Sequence, residues 1–170
     1  MRKFLNAFLI FIIATLLHWV FIEIFAPFDI TLGIMLVFTL IMAGRLSRGG
    51  GYTFAFLCGL FLDFFSASMF GGYALTFTLL MFTFYQIEHK IDFKEPGPQL
   101  VITASLNMYM VLLYGILGTI FTGGFLWQGF KSFIFGSAIT GLLMPVLYVV
   151  VTKYFIFRSV KKSNESTTVF

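Results

Sequence analysis

Charge is what this chain has least of: Asp, Glu, Lys and Arg make up 11% of its 170 residues, against about 25% in a soluble domain. That deficit excludes a water-wetted surface over most of the molecule. Cysteine occurs once, at Cys58, so no internal disulfide is possible and the redox compartment is not encoded. Histidine occurs twice, at His18 in an apolar run and at His89 in a polar loop. The pair cannot form one catalytic centre, and no Cys/His metal spacing exists. There is no phosphate-binding glycine loop and no Ser–His–Asp arrangement. The expectation is a protein that is not an enzyme and uses no cofactor or metal.

Apolar residues fill the space that charge leaves. They reach 59%, with 25 phenylalanines, more than a soluble fold of this size can hide. Lipid must be the solvent for most of the exterior, and helices satisfy their own backbone there. The expected fold is all-α, a polytopic membrane bundle of six transmembrane helices. The apolar runs place spans at about 4–25, 30–43, 52–65, 73–87, 99–121 and 132–157. They form one membrane domain, 1–157, and leave a basic and polar tail, 158–170.

The first run follows Met1-Arg2-Lys3 but exceeds the about 7–15 apolar residues of a signal peptide and lacks a small-residue cleavage site. It reads as an uncleaved span, ended by Pro27, which disfavours helix at the residue before it. Residues 44–51, with Arg45, Arg48 and the run Gly49-Gly50-Gly51, read as a loop. The proline-rich stretch 88–98 reads as a second, and 122–129 as a glycine-rich turn. Trp19 and Trp127 suit an interfacial aromatic belt. Pro145 should kink the last helix.

Six spans put both termini on one side. On that side fall Arg2, Lys3, Arg45, Arg48, Lys90, Lys94, Lys153, Arg158, Lys161 and Lys162, and on the other only Lys131. The positive-inside bias therefore predicts cytoplasmic N- and C-termini. The net charge of +4 belongs to this asymmetry, and no nucleic-acid partner is expected.

One stretch has a specific residue order: GLFLDFFSASMFGGYAL, from Gly59 to Leu75. Asp63 lies about 18 Å into its span at 1.5 Å per residue, just past the middle of a core of about 30 Å. A carboxylate there costs about 2.5–3.5 kcal/mol on insertion scales. Two readings compete. Asp63 is a proton relay, a ligand contact or a contact to a partner helix. Alternatively it accepts hydrogen bonds from the free N–H groups that open the next helix near Gly71–Tyr73, with Ser66, Ser68 and two glycines making the return tight. On the second reading Asp63→Asn largely preserves folding and Asp63→Leu does not.

Three further polar groups lie within spans. His18 and Glu23 are five apart and point about 140° from each other on a helix, so they form no joint site. Asn107 is placed to bond across helices. Gly115, Gly118, Gly136 and Gly141 allow close helix approach, within the bundle or in a homodimer.

The opening stretch also resembles the signature of the rod shape-determining protein MreD family. Gly59-Leu60, Asp63, Gly71 and Ala74-Leu75 carry the resemblance, with Pro27 after the first span and the short basic tail as support. The phenylalanine richness and the Gly49-Gly50-Gly51 run depart from typical members. The resemblance implies a non-catalytic subunit of the bacterial inner membrane, in the elongation machinery that builds lateral peptidoglycan. It implies association with an MreC-like membrane-anchored partner, near MreB, RodA and a class B penicillin-binding protein. It also implies a fold similar to the S-components of energy-coupling-factor transporters. The alternative is a substrate-binding subunit of a vitamin-type transporter. Against that stands the short supply of polar residues in the outward loops, because a selective pocket needs several that converge.

Overall fold

The structure, a computed structural model, describes residues 2–66, 69–88, 95–126 and 128–153, with side chains from residue 7 onward. Six α-helices follow in order: α1 Arg2–Phe25, α2 Ile34–Ala43, α3 Arg48–Phe65, α4 Gly72–Glu88, α5 Pro96–Thr122 and α6 Ser137–Val151. A 3-10 turn, Ala26–Phe28, closes α1, and a π-helical turn, Ser132–Gly136, leads into α6. No strand occurs among the described residues. Three stretches, Ala7–Phe28, Pro96–Thr122 and Ser132–Val151, are long and apolar enough to cross a membrane. The chain is all-helical and has the character of a membrane protein.

The centre of the bundle is α2. Every residue from Ile34 to Ala43 is buried, as expected of a helix that is apolar all round. Its 10 residues cover only about 15 Å, half of a bilayer core. Neighbours on several sides bury it: α1, α3, α4 and α6 all contact it. By contrast α1 is peripheral and turns Phe8, Leu16, Val20 and Ile24 outward.

The second run is shorter than the expected 30–43 because residues 29–33 are not helical. Asp29 takes a left-handed conformation (φ 56°) and turns the chain after the 3-10 segment. Irregular backbone at membrane depth is tolerated only where protein partners satisfy it. Here the partners come from the last helix. The Thr31 N–H donates to Ser132 Oγ (3.0 Å), and Ser132 Oγ donates to the Asp29 carbonyl (3.1 Å). The Gly33 N–H donates to Thr140 Oγ1 (3.0 Å). Gly136 lets the segment approach, since a Cβ there would collide with the Thr31 carbonyl.

Two expected loops are partly helical. Helix α3 starts at Arg48, inside the stretch 44–51, because the Ser47 hydroxyl caps it by accepting from the Gly50 N–H (3.3 Å). Gly51 is buried against the Tyr85 hydroxyl and Ala43, so this last glycine of the run serves packing. Helix α5 starts at Pro96, inside the stretch 88–98, because proline suits the first helical position, where an N–H has no partner in any case. At this end Arg45 ties the α2–α3 turn to α6. Its guanidinium donates to Thr152 Oγ1 (3.0 Å) and Tyr148 Oη (3.4 Å) and lies over the Tyr148 ring. Trp127, Ser68, His89, Lys90, Lys94, residues 154–157 of the last expected span and the tail 158–170 lie outside the described residues.

Candidate functional site

The α3–α4 return is built by the stretch with the specific order. Asp63 is 1% exposed, and both its carboxyl oxygens are used. Oδ1 accepts from the Tyr73 N–H (2.8 Å) and Oδ2 from the Ala74 N–H (2.9 Å). These are two of the donors that the first turn of α4 leaves without a helical partner. Acceptor charge is favoured at a helix N-terminus. One turn earlier, Gly59 lets the two helices touch. A Cβ there would lie 2.5 Å from the Ala74 Cα and 2.5 Å from the Tyr73 carbonyl oxygen. Gly71 takes the left-handed conformation (φ 87°) that turns the chain into α4. The spacing Gly59, Asp63, Gly71, Ala74 is thus the geometry of a clasp.

Beside the clasp lies a cavity of about 230 Å³. Its polar lining comes from six places in the chain: His18 of α1, Thr31 of the irregular segment, Ser66 after α3, Tyr73 of α4, Asn107 of α5 and Gln128. Tyr73 stacks on Tyr114 with ring centres 4.1 Å apart, and Ser66 Oγ lies 3.2 Å from Tyr114 Oη. Gln128 bridges two walls. Its Nε2 donates to Tyr73 Oη (2.9 Å), and its Oε1 accepts from Thr31 Oγ1 (3.3 Å). Asn107 Nδ2 donates across helices to Ser137 Oγ (3.0 Å). Asn107 Oδ1 and His18 Nδ1 are buried without a hydrogen-bond partner.

The structure therefore sorts the residues singled out in the sequence. Gly59, Asp63, Gly71 and Ala74 meet in the clasp, and His18 and Asn107 line the cavity next to it. Glu23 is exposed and apart from His18. Leu75 faces outward, 42% exposed. Pro27 is exposed in the 3-10 turn. Leu60 lines an apolar groove of about 320 Å³ between α1 and α3, with Phe8, Phe11, Phe54, Leu57 and Phe64. Gly115 and Gly118 receive Phe125 and Leu126 of the same chain, and Gly141 receives Leu100 and Ala104. These small residues are occupied within the bundle.

Sequence reasoning missed Ser132, Thr140, Tyr73 and Gln128. A signal existed for the first two: with Gly136 they fall four apart on one face of the last helix. None existed for Gln128. Three of the six polar side chains at the cavity, His18, Tyr73 and Asn107, project from helices, so a count of polar residues in the outward loops does not include them. Among the described residues no three His, Cys, Asp or Glu side chains group as metal ligands.

Fold and site together define an all-helical, membrane-type bundle with a partly open, mainly apolar cavity, edged by several polar groups, beside a capped helix return. Searches against protein-family models, curated proteins and solved structures find no match to this chain.

Proposed function

We propose that this chain is a non-catalytic, six-span subunit of the bacterial inner membrane, related to the MreD family and acting in the cell-elongation complex. The clasp carries this reading. The signature residues Gly59, Asp63, Gly71 and Ala74 form a single structural device, which supports treating their spacing as a family fingerprint. In this reading α2 together with its non-helical approach 29–33, α3 and α4 complete the six spans, the fold is of the S-component type, and both termini are cytoplasmic.

The subunit acts by holding a partner's membrane helix and coupling it to lateral peptidoglycan synthesis. An MreC-like protein with one membrane helix is the partner, with MreB, RodA and a class B penicillin-binding protein nearby. The α1–α3 groove, walled by aromatic and aliphatic side chains at the lipid-facing surface, suits such a helix, because helix association in lipid depends on packing. Purification from native membranes after cross-linking through a residue placed at Leu57 should recover that single-span partner. Recovery of an ATPase module and a coupling subunit in its place overturns the proposal.

A further inference from the structure

We propose that the α3–α4 return is a lipid-contacting surface sunk within the outer half of the membrane, where acyl chains cover Phe64, Phe65 and Phe70. This placement rests on the six-span reading for the direction in which α3 and α4 run. The hairpin keeps its place in that topology, because it comes back to the side it left wherever its turn lies. Its two helices are short. Helix α3 has 18 residues and α4 has 17, about 26–27 Å each at 1.5 Å per residue. Neither is among the stretches long and apolar enough to cross a membrane. At their other ends Arg48 lies over the Tyr85 ring and Tyr52 packs edge-on against it, and these residue types anchor helices at headgroup level. From Tyr52 and Tyr85 each helix has about 20 Å to reach the return, against a core of about 30 Å.

Two neighbouring helices measure how far the return falls short. Tyr114 of α5 stacks on Tyr73 and meets Ser66, which puts it level with the return. From there α5 continues to Thr122, about 12 Å further, and Ile116, Ile120 and Phe121 on this extension are exposed. On the other flank Trp19 packs edge-on against Phe65. Helix α1 continues past it to Phe25, about 9 Å further, with Val20 and Ile24 exposed. The first charged side chain on that stretch is Glu23, one turn beyond Trp19 and exposed. The return thus lies about 6–12 Å beneath the outer interface. Through Trp19 its phenylalanines are continuous with the lipid-facing surface of α1.

The local chemistry suits hydrocarbon. Backbone N–H groups there find no water and need partners inside the protein. The Ser66 N–H donates to the Asp63 carbonyl (3.2 Å), and the Gly72 N–H to the Met69 carbonyl (3.4 Å). Asp63 takes the N–H groups of Tyr73 and Ala74, and Ser66 Oγ pairs with Tyr114 Oη. Between Tyr52 and Tyr85 the only charged residue is this buried Asp63. Phe64, Phe65 and Phe70 are 60–69% exposed and lack the polar tip that suits Trp and Tyr to the interface. The carboxylate belongs to the same arrangement: where water cannot close the first turn of α4, an internal acceptor does.

The test uses the full chain in lipid nanodiscs, in a Cys58→Ser background, with a nitroxide label at one introduced cysteine at a time. Phe70→Cys, Ile116→Cys, Ile120→Cys and Lys131→Cys are compared by collision with oxygen, which concentrates in hydrocarbon, and with a neutral nickel chelate, which stays in water. The label at 70 should lie within one helical turn of the depth at 116 and about 6 Å deeper than the label at 120. The label at 131 should be in water. Nickel collisions at 70 equal to those at 131 overturn the proposal. Shielding of 70 from both reagents also overturns it, since protein and not lipid then covers the return. Phe70→Asn should lower the thermal midpoint in nanodiscs by about 2–4 °C, with Phe70→Leu close to wild type. A return in water would tolerate Asn as well as Leu, and that result also overturns the proposal. The sidedness of residues 45 and 131 tests the six-span reading separately, so a wet residue 70 in a chain of the expected sidedness fails this proposal alone.

Discussion

Two backbone N–H groups at the start of α4 point back towards α3, and Asp63 supplies an acceptor to each. That two-handed arrangement alters what an amide could do in its place. Asn offers one acceptor and turns an NH2 group towards the other backbone donor, so Asp63→Asn no longer counts as a near-neutral change. It should cost about 1–3 kcal/mol, the penalty for one unsatisfied buried group. Asp63→Leu strands both donors and should cost more. Unfolding in a denaturing detergent should rank wild type, Asn and Leu in that order, and equal stability of all three would remove the capping role. Gly59 and Gly49 test packing at the same scale. Gly59→Ala puts a methyl 2.5 Å from the Ala74 Cα, where only backbone can yield, and should destabilise by about 1–3 kcal/mol. Gly49, in the first turn of α3, has nothing within 4 Å, so Gly49→Ala should stabilise by up to about 1 kcal/mol. The same unfolding assay reads both.

Among the elements, α2 depends most on others. Its approach, residues 29–33, borrows hydrogen bonds from Ser132 and Thr140. Ser132→Ala and Thr140→Val each remove an acceptor from a backbone N–H, and each should cost about 1–3 kcal/mol. Amide exchange should show faster opening at Thr31 in the first variant and at Gly33 in the second. Unchanged exchange at both would mean that water serves these groups instead. The π-helical turn Ser132–Gly136 belongs to this arrangement, as such turns often mark sites where a helix adapts to function. It aligns Ser132 with Thr31, and Gly136 beneath the Thr31 carbonyl.

For the whole molecule, the outward aromatic and aliphatic surface and the arginine-bearing α2–α3 turn carry a topology that labelling can read. On the six-span proposal, residue 45 and residue 131 lie on opposite sides of the membrane. In a Cys58→Ser background, Arg45→Cys should resist an impermeant maleimide in spheroplasts and Lys131→Cys should react. Reaction of both from one side would refute the six-span arrangement. Replacing Cys58 should disturb the label pattern little, because its thiol is buried and inaccessible.

The apolar runs, the breaks between them and the lone carboxylate within one of them were legible in the sequence, because lipid demands long apolar segments and punishes an unpaired charge. Those facts determined an all-helical membrane-type chain, the approximate helix positions and the anomaly at Asp63, a carboxylate that needs buried partners. The loop boundaries at Arg48 and Pro96 were less legible, since glycine and proline read as breakers until a cap or a first-turn position absorbs them. Only the tertiary structure decided that α2 is a half-length buried core helix and that Ser132 and Thr140 support its entry. Only it joined His18, Asn107 and Gln128 in one cavity. These residues stand up to 110 positions apart, and a hydrogen bond or a void between them exists only after the helices pack. Periodicity reports the face a residue takes on its own helix, and packing alone selects what meets that face.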